Sequence, residues 1–241
     1  MRFNELAAAR AAHAAGLSPE IIASGRGYMV SRFIEGRSLS PEEVRSLGYR
    51  DQVLDLIRRC HMEIPKVFRG PALIFWVFQV NRGYIGLLKG DRSRLVGALP
   101  RLESIGAALE RAVGPVEIVF GHNDLLPGNL FDDGTRLWLL DWDYAGFNTP
   151  LFDLANLSSN NGFEPVDDEW LLNTYYGADL SAATVKAFHA MKCASLLREA
   201  LWSAVSESRS TIDFDYVAYT NENLSRFETS LVAFTSQFGE L

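Results

Sequence analysis

The chain predicts an α+β fold in which helices dominate and strands are few and short. Three observations carry that prediction. Helix-forming runs with readable ends cover most of the length, two apolar runs around Gly25-Arg26-Gly27 read as a hairpin, and two β-rich runs, EIVFGH and RLWLLDW, interrupt the helical part. The outcome is a small helix-plus-hairpin piece followed by a large, mostly helical body with a two-stranded ribbon embedded in it.

Each element has a local reason. Residues 3–15 are strong helix formers without Gly or Pro, and Gly16 stops them, with Pro19 just beyond. EIIAS and YMVSRFI are the hairpin strands. Ser40 is an N-cap, Pro41 takes the first helical position and Glu43 closes a capping box, so a helix is expected from there to about Met62. In PALIFWVFQVNRGYIGLLKG periodicity does not separate strand from buried helix. Residues 92–112 read as helix, ended by Gly114-Pro115. EIVFGH is a strand that runs into the loop HNDLLPGN, DDG is a turn, and RLWLLDW is a second strand. From Thr149 onward the pattern is helical, over 150–158, 167–176, 181–208 and 214–238.

Composition excludes several classes. With 23 Lys+Arg against 30 Asp+Glu the net charge is -7, so no basic face for nucleic acid is expected. The most apolar run, Ala72–Val80, is too short to span a membrane, which needs roughly 18 or more apolar residues. The Ala-rich start is broken by Glu5, Arg10 and His13 and does not read as a secretory signal. The two cysteines, Cys60 and Cys193, have no metal-type spacing and read as buried thiols of a cytoplasmic protein.

The chemistry concentrates in one stretch. Asp124 lies in a loop just past an apolar strand, where a carboxylate suits orienting a hydroxyl and accepting its proton. Asn129 brings a neutral amide oxygen and Asp141, at the end of the next strand, a charged one. Magnesium is commonly held by one or two such protein oxygens plus nucleotide phosphates. Asp, Asn and Asp on adjacent loops make a phosphoryl-transfer set. Each motif alone also fits a local turn, with Asp124 capping backbone amides; the ordered package of all three is what points to chemistry.

The run VFGHNDLLPGNLF…LWLLDWDYAGFNTPLFDLAN resembles the catalytic and metal loops of the choline/ethanolamine kinase family, within the kinase-like fold shared with aminoglycoside phosphotransferases. The likeness is dense over residues 118–157. It implies that Asp124 is the catalytic base, that Asn129 and Asp141 are Mg2+ ligands, and that His122 and Asp153 brace the loop. Asp143 is left open between metal-bound water, the substrate cation and the loop backbone. The implied cofactors are ATP and Mg2+, and the implied substrate is a small amino alcohol. Trp202 and Tyr219 match a tryptophan and tyrosine that enclose the ammonium, with Tyr144 and the stretch Asn160-Asn161-Gly162-Phe163 as further pocket candidates. Glu199 stands where the family's eukaryotic members often carry a second tryptophan; a carboxylate there either replaces part of a cation–π wall or favours an amine with N–H donors, such as ethanolamine. For Phe214 and Tyr216 core packing is expected.

The same resemblance makes 1–36 a remnant of the small, nucleotide-binding lobe and hinge, and 37–241 the large catalytic lobe. Backbone groups around Arg32, Phe33 and Ile34 would then meet adenine, and Glu5 matches a helix glutamate that the family pairs with a strand lysine. The family's first strands and that lysine have no counterpart ahead of the first helix. A start assigned downstream of the true one, a fragment and a natural short form are the open explanations, the first being favoured, and weak or no kinase activity is expected of this exact chain. A homodimer or a partner covering the edge of the small lobe is a further expectation. The rival readings are a thiamine- or aminoglycoside-type kinase and a non-catalytic, kinase-like choline-binding protein.

Overall fold

The structure is a computed structural model that describes residues 2–71 and 73–240. In chain order it runs α1 (Arg2–Ala14), β1 (Ile21–Gly25), β2 (Tyr28–Ser31), β3 (Arg37–Ser38), α2 (Pro41–Arg45), α3 (Arg50–Val67), α4 (Val77–Gly90), α5 (Leu99–Val113), β4 (Val119–Gly121), β5 (Leu130–Asp132), β6 (Leu137–Leu139), β7 (Gly146–Asn148), α6 (Pro150–Asn160), α7 (Pro165–Tyr176), α8 (Ala182–Arg209) and α9 (Tyr216–Phe238). The expected α+β class, with helices dominant, is what is seen.

The contacts divide the chain into two compact units. The first comprises Met1–Phe75 and Glu117–Leu180. It holds α1–α3, all the strands, α6 and α7, and is built around buried Phe120, Trp142 and Phe152. Its strands form the β1–β2 hairpin, a β3–β5–β6 sheet and a β4–β7 pair, each pairing antiparallel. The second comprises Trp76–Val116 and Ser181–Leu241, where α4, α5, α8 and α9 pack around Phe78, Leu88, Leu99, Phe188 and Phe227.

The helix ends form where their chemistry was read. The Ser40 hydroxyl accepts from the Glu43 N–H while the Glu43 carboxylate accepts from the Ser40 N–H. Thr149 caps α6 with Pro150 behind it, and Gly114, with φ +68°, ends α5. Two expectations need correction, one open reading is settled, and the helix expected over 92–112 begins only at Leu99. The single helix from Pro41 is two, because Ser46 turns to an extended conformation and its hydroxyl donates to the Glu43 carbonyl. The ambiguous apolar run becomes helix α4 from Val77; Ile74 ahead of it bridges Phe147, and Ala72 lies outside the described residues. The two strands read as one ribbon belong to different pairs: β4 joins β7, whereas β6 folds back on β5 across the DDG turn. Among the described residues no helix is long and apolar enough to cross a membrane, and Cys60 and Cys193 are both buried and free.

Candidate active site

The site is built on the loop that leaves β4. Its first three residues, His122, Asn123 and Asp124, are all buried. Asn123 has φ +66°, a left-handed conformation that Asn tolerates better than most residues. Its side chain holds it there: Nδ2 reaches the carbonyls of Tyr144 at 3.1 Å and of Gly121 and Gly146 at 3.3 Å, and Oδ1 accepts from Asn148 at 2.9 Å. The loop is thereby tied to β7.

His122 ties it to the next loop. Nδ1 accepts the Asp124 N–H at 3.3 Å and Nε2 donates to the Leu140 carbonyl at 2.9 Å, which assigns the neutral tautomer with its proton on Nε2. Its ring meets Trp142 edge-on, with centroids 4.9 Å apart. From below, Asp153 in the first turn of α6 accepts the N–H groups of His122 at 2.8 Å and of Asn123 at 2.7 Å. Burial pushes the Asp153 carboxyl up, but the hydrogen bonds it accepts from His61 and from the His122 N–H outweigh it, so it stays below the usual carboxylate value. Asn156 accepts the Leu125 N–H at 2.6 Å, and Asn161 donates to the Leu125 carbonyl at 3.1 Å.

Asn129 and Asp141 stand at one end of the β5–β6 pair. Leu130 pairs with Leu139, and just beyond them the Leu140 N–H donates to the Asn129 carbonyl at 2.9 Å. The Asn129 side-chain nitrogen donates to the Asp124 carbonyl at 2.9 Å, which leaves the amide oxygen as its remaining donor atom toward a cation. Asp141 is exposed, adopts φ +62°, and accepts the Asp143 N–H at 3.4 Å. Asp124, Asn129 and Asp141 are thus linked through two backbone-anchored hydrogen bonds and one peptide step. An amide oxygen and a carboxylate are hard, oxygen-only donors that fit magnesium better than zinc. Among the described residues no group of three or more His, Cys, Asp or Glu side chains is arranged to hold an ion. A metal held by Asn129 and Asp141 would therefore need further oxygens from a phosphate ligand or water.

The other expected residues fall as follows. The Tyr144 ring packs edge-on against Phe75, centroids 6.1 Å apart. Asn161 and Phe163 are buried rather than facing an open pocket. The Arg32 side chain pairs with Glu20 at 2.5 Å and its N–H donates to the Glu20 carbonyl at 2.7 Å. Phe33 is 85% exposed and Ile34 half-buried, in an irregular segment after β2. Glu5 is half-buried on α1. In the second unit the Trp202 ring is 6.1 Å from Tyr216, and Phe214 lies 5.0 Å from Tyr216 and 5.6 Å from Tyr219. Tyr219 donates to Glu199 at 2.9 Å. Burial, then the Glu199 charge and hydrogen bond, push its hydroxyl up to about 12. Phe214 is 54% exposed, so core packing was the wrong expectation for it; it joins an open row of rings.

Sequence reasoning missed the amides and the histidine that hold the loop. Asn123 and Asn156 stood inside quoted motifs but drew no role. His61 had one signal, a titratable side chain on the apolar face of α3 between Ile57 and Ile64.

The chain belongs to the phosphotransferase enzyme family, whose sequence model matches residues 3–187. It is 31% identical over 170 residues to Protein LicA of Haemophilus influenzae, covering 68% of this chain and 62% of LicA. It is 27% identical over 246 residues to a probable ethanolamine kinase of Arabidopsis thaliana, covering 90% of this chain and 65% of that protein. The chain therefore spans less than two thirds of the length of these curated relatives. A crystal structure of a choline/ethanolamine kinase family protein from Mesorhizobium loti superposes with a TM-score of 0.83 at 28% identity, covering 95% of this chain and 80% of that one.

Proposed function

We propose that this chain carries the catalytic loops of an ATP-dependent phosphotransferase acting on the hydroxyl of a small amino alcohol, choline or ethanolamine. The observation that carries the reading is the linkage of Asp124, Asn129 and Asp141 through the Asn129 side chain and the Leu140 N–H.

In this reading Asp124 orients the acceptor hydroxyl and takes its proton as the new P–O bond forms. Its position is set by the peptide before it, which Asp153 holds, and by its own N–H on His122. Asn129 and Asp141 would hold Mg2+, which when bound with ATP neutralises phosphate charge. The backbone of Arg32, Phe33 and Ile34 would meet the adenine, residues 1–36 acting as nucleotide lobe and hinge and 37–241 as the large lobe. Trp202 and Tyr219 would present aromatic faces to the ammonium group. Support for the acceptor class comes from the ethanolamine kinase and choline/ethanolamine kinase names borne by the relatives.

The test is phosphate transfer from radiolabelled ATP to choline, ethanolamine and an aminoglycoside, with the purified protein and with Asp124→Asn. Weak transfer to an amino alcohol, lowered about 10²- to 10⁴-fold further by the substitution, is expected. Transfer to the aminoglycoside alone, or an Asp124→Asn variant as active as the parent, would overturn the reading.

A further inference from the structure

We propose that the cleft between α3 and the turn joining β5 to β6 is a second ligand site, and that it takes a small zwitterion, a phosphate monoester carrying an ammonium group. The cleft lies wholly within the first unit, at the end of the β5–β6 pair opposite Asn129 and Asp141. The proposal rests on the amino-alcohol kinase reading only in that the product of such a reaction has this chemistry.

The cleft encloses about 490 Å³ between Asp51, Asp55, Leu56 and Arg59 on α3 and Arg136 and Leu137 at the turn. That is the size of a small-molecule site. Its floor is apolar, because Leu56 and Leu137 are buried, and its walls are charged.

One wall is basic. Arg59 Nη2 donates to the Ala15 carbonyl at 3.1 Å and to the Gly16 carbonyl at 3.4 Å, and Arg136 Nη2 donates to the same Gly16 carbonyl. The shared acceptor brings two like charges together just past the end of α1. The Arg136 guanidinium is also held over the Trp138 ring, 3.8 Å from its centroid. All these partners are uncharged. Asp133, the acid whose charge Arg136 feels, spends its carboxylate on the Thr135 N–H and hydroxyl, the Arg136 N–H and the Trp138 indole. Burial, then the Arg59 charge, accordingly pull the Arg136 guanidinium below its ordinary value. Closing the end of α1 takes one such donor. Two anchored guanidiniums, each with N–H groups to spare, fit a doubly charged phosphate.

The other wall is acidic. Asp51 and Asp55 are exposed and stand one turn apart on α3, and Arg59 follows one turn later on the same face. The rise of the helix puts Asp55 about 6 Å from Arg59 along the axis. An ammonium and a phosphate joined by a two-carbon alcohol bridge have about that reach, and the bridge would rest on the two leucines. A bare anion would face the like charges of Asp51 and Asp55, so the cleft suits a zwitterion better than free phosphate.

The experiment adds phosphoethanolamine to the full chain without nucleotide and follows backbone amide signals. Saturable shifts at residues 51–59 and 133–138, half-complete at or below about 1 mM, are expected. Arg136→Gln should weaken this binding about tenfold or more. Asp55→Asn, at an exposed position, should weaken phosphoethanolamine while leaving the poorer binding of inorganic phosphate unchanged. Glycerophosphoethanolamine, a diester like that of a lipid headgroup, should bind more weakly than the monoester. Shifts confined to the surroundings of Asp124, Asn129 and Asp141, or equal binding of inorganic phosphate or of the diester, would overturn the proposal. So would an Asp55→Asn variant that binds like the parent, which decides the matter even if Arg136→Gln fails to fold. Binding at this cleft without phosphate transfer would count against the kinase reading alone; transfer without such binding would count against the second site alone.

Discussion

At the residue scale, Gly121 shows how little room the site leaves. A Cβ there would lie 2.8 Å from Asn123 Oδ1 and 3.2 Å from Asp153 Oδ2, the two side chains that hold the loop. Gly121→Ala must displace one of them, so a loss of about 1–3 kcal/mol in urea unfolding is expected, with impaired phosphate transfer. A variant as stable and active as the parent would show that the loop has slack. The left-handed backbones of Asn123 and Asp141 belong to the same economy. Short polar side chains make that conformation tolerable, and both are fastened by hydrogen bonds at the point where a chemical group is presented.

At the scale of elements, the short α2 depends on its cap. Its capping box is complete, and the Glu43 carboxylate is also gripped by both Arg37 nitrogens at 2.6 and 2.7 Å, which helps hold it down at about 2. Ser40→Ala should cost about 0.5–2 kcal/mol in chemical denaturation; an unchanged midpoint would mean that the helix is held by packing of Val44 alone. Local end signals are why helices were legible in the sequence: Ser40-Pro41 states a start and Gly114-Pro115 a stop. The split after Arg45 was not legible, because Ser46 looks like any helix residue until its hydroxyl turns back to Glu43. Strand pairing was misread for a related reason. EIVFGH and RLWLLDW are equally apolar, and which partner each takes is settled by residues elsewhere, Gly146–Asn148 for one and Leu130–Asp132 for the other. Asp124, Asn129 and Asp141 stood out because they sit in a dense motif. His61 did not, because its partners are 92 and 114 residues away and periodicity cannot tell a bonded histidine from a packed one.

At the scale of the whole molecule, the surface ion pairs contribute little. Arg94–Glu207, Arg101–Glu228 and Arg209–Asp91 in the second unit are partly exposed and join helices that already bury Phe78, Phe188 and Phe227. The apolar contacts of α8 and α9 hold that unit, whereas in the first unit buried polar groups fasten the loop after β4. The central claim is that Asn129 and Asp141 hold a divalent ion next to Asp124. Its most direct test is paramagnetic broadening of backbone amide signals on adding Mn2+ with ATP. Signals of residues 124, 129 and 140–143 should broaden first, and Asp141→Ala should abolish the effect. Broadening centred elsewhere, or unaffected by Asp141→Ala, would contradict the account.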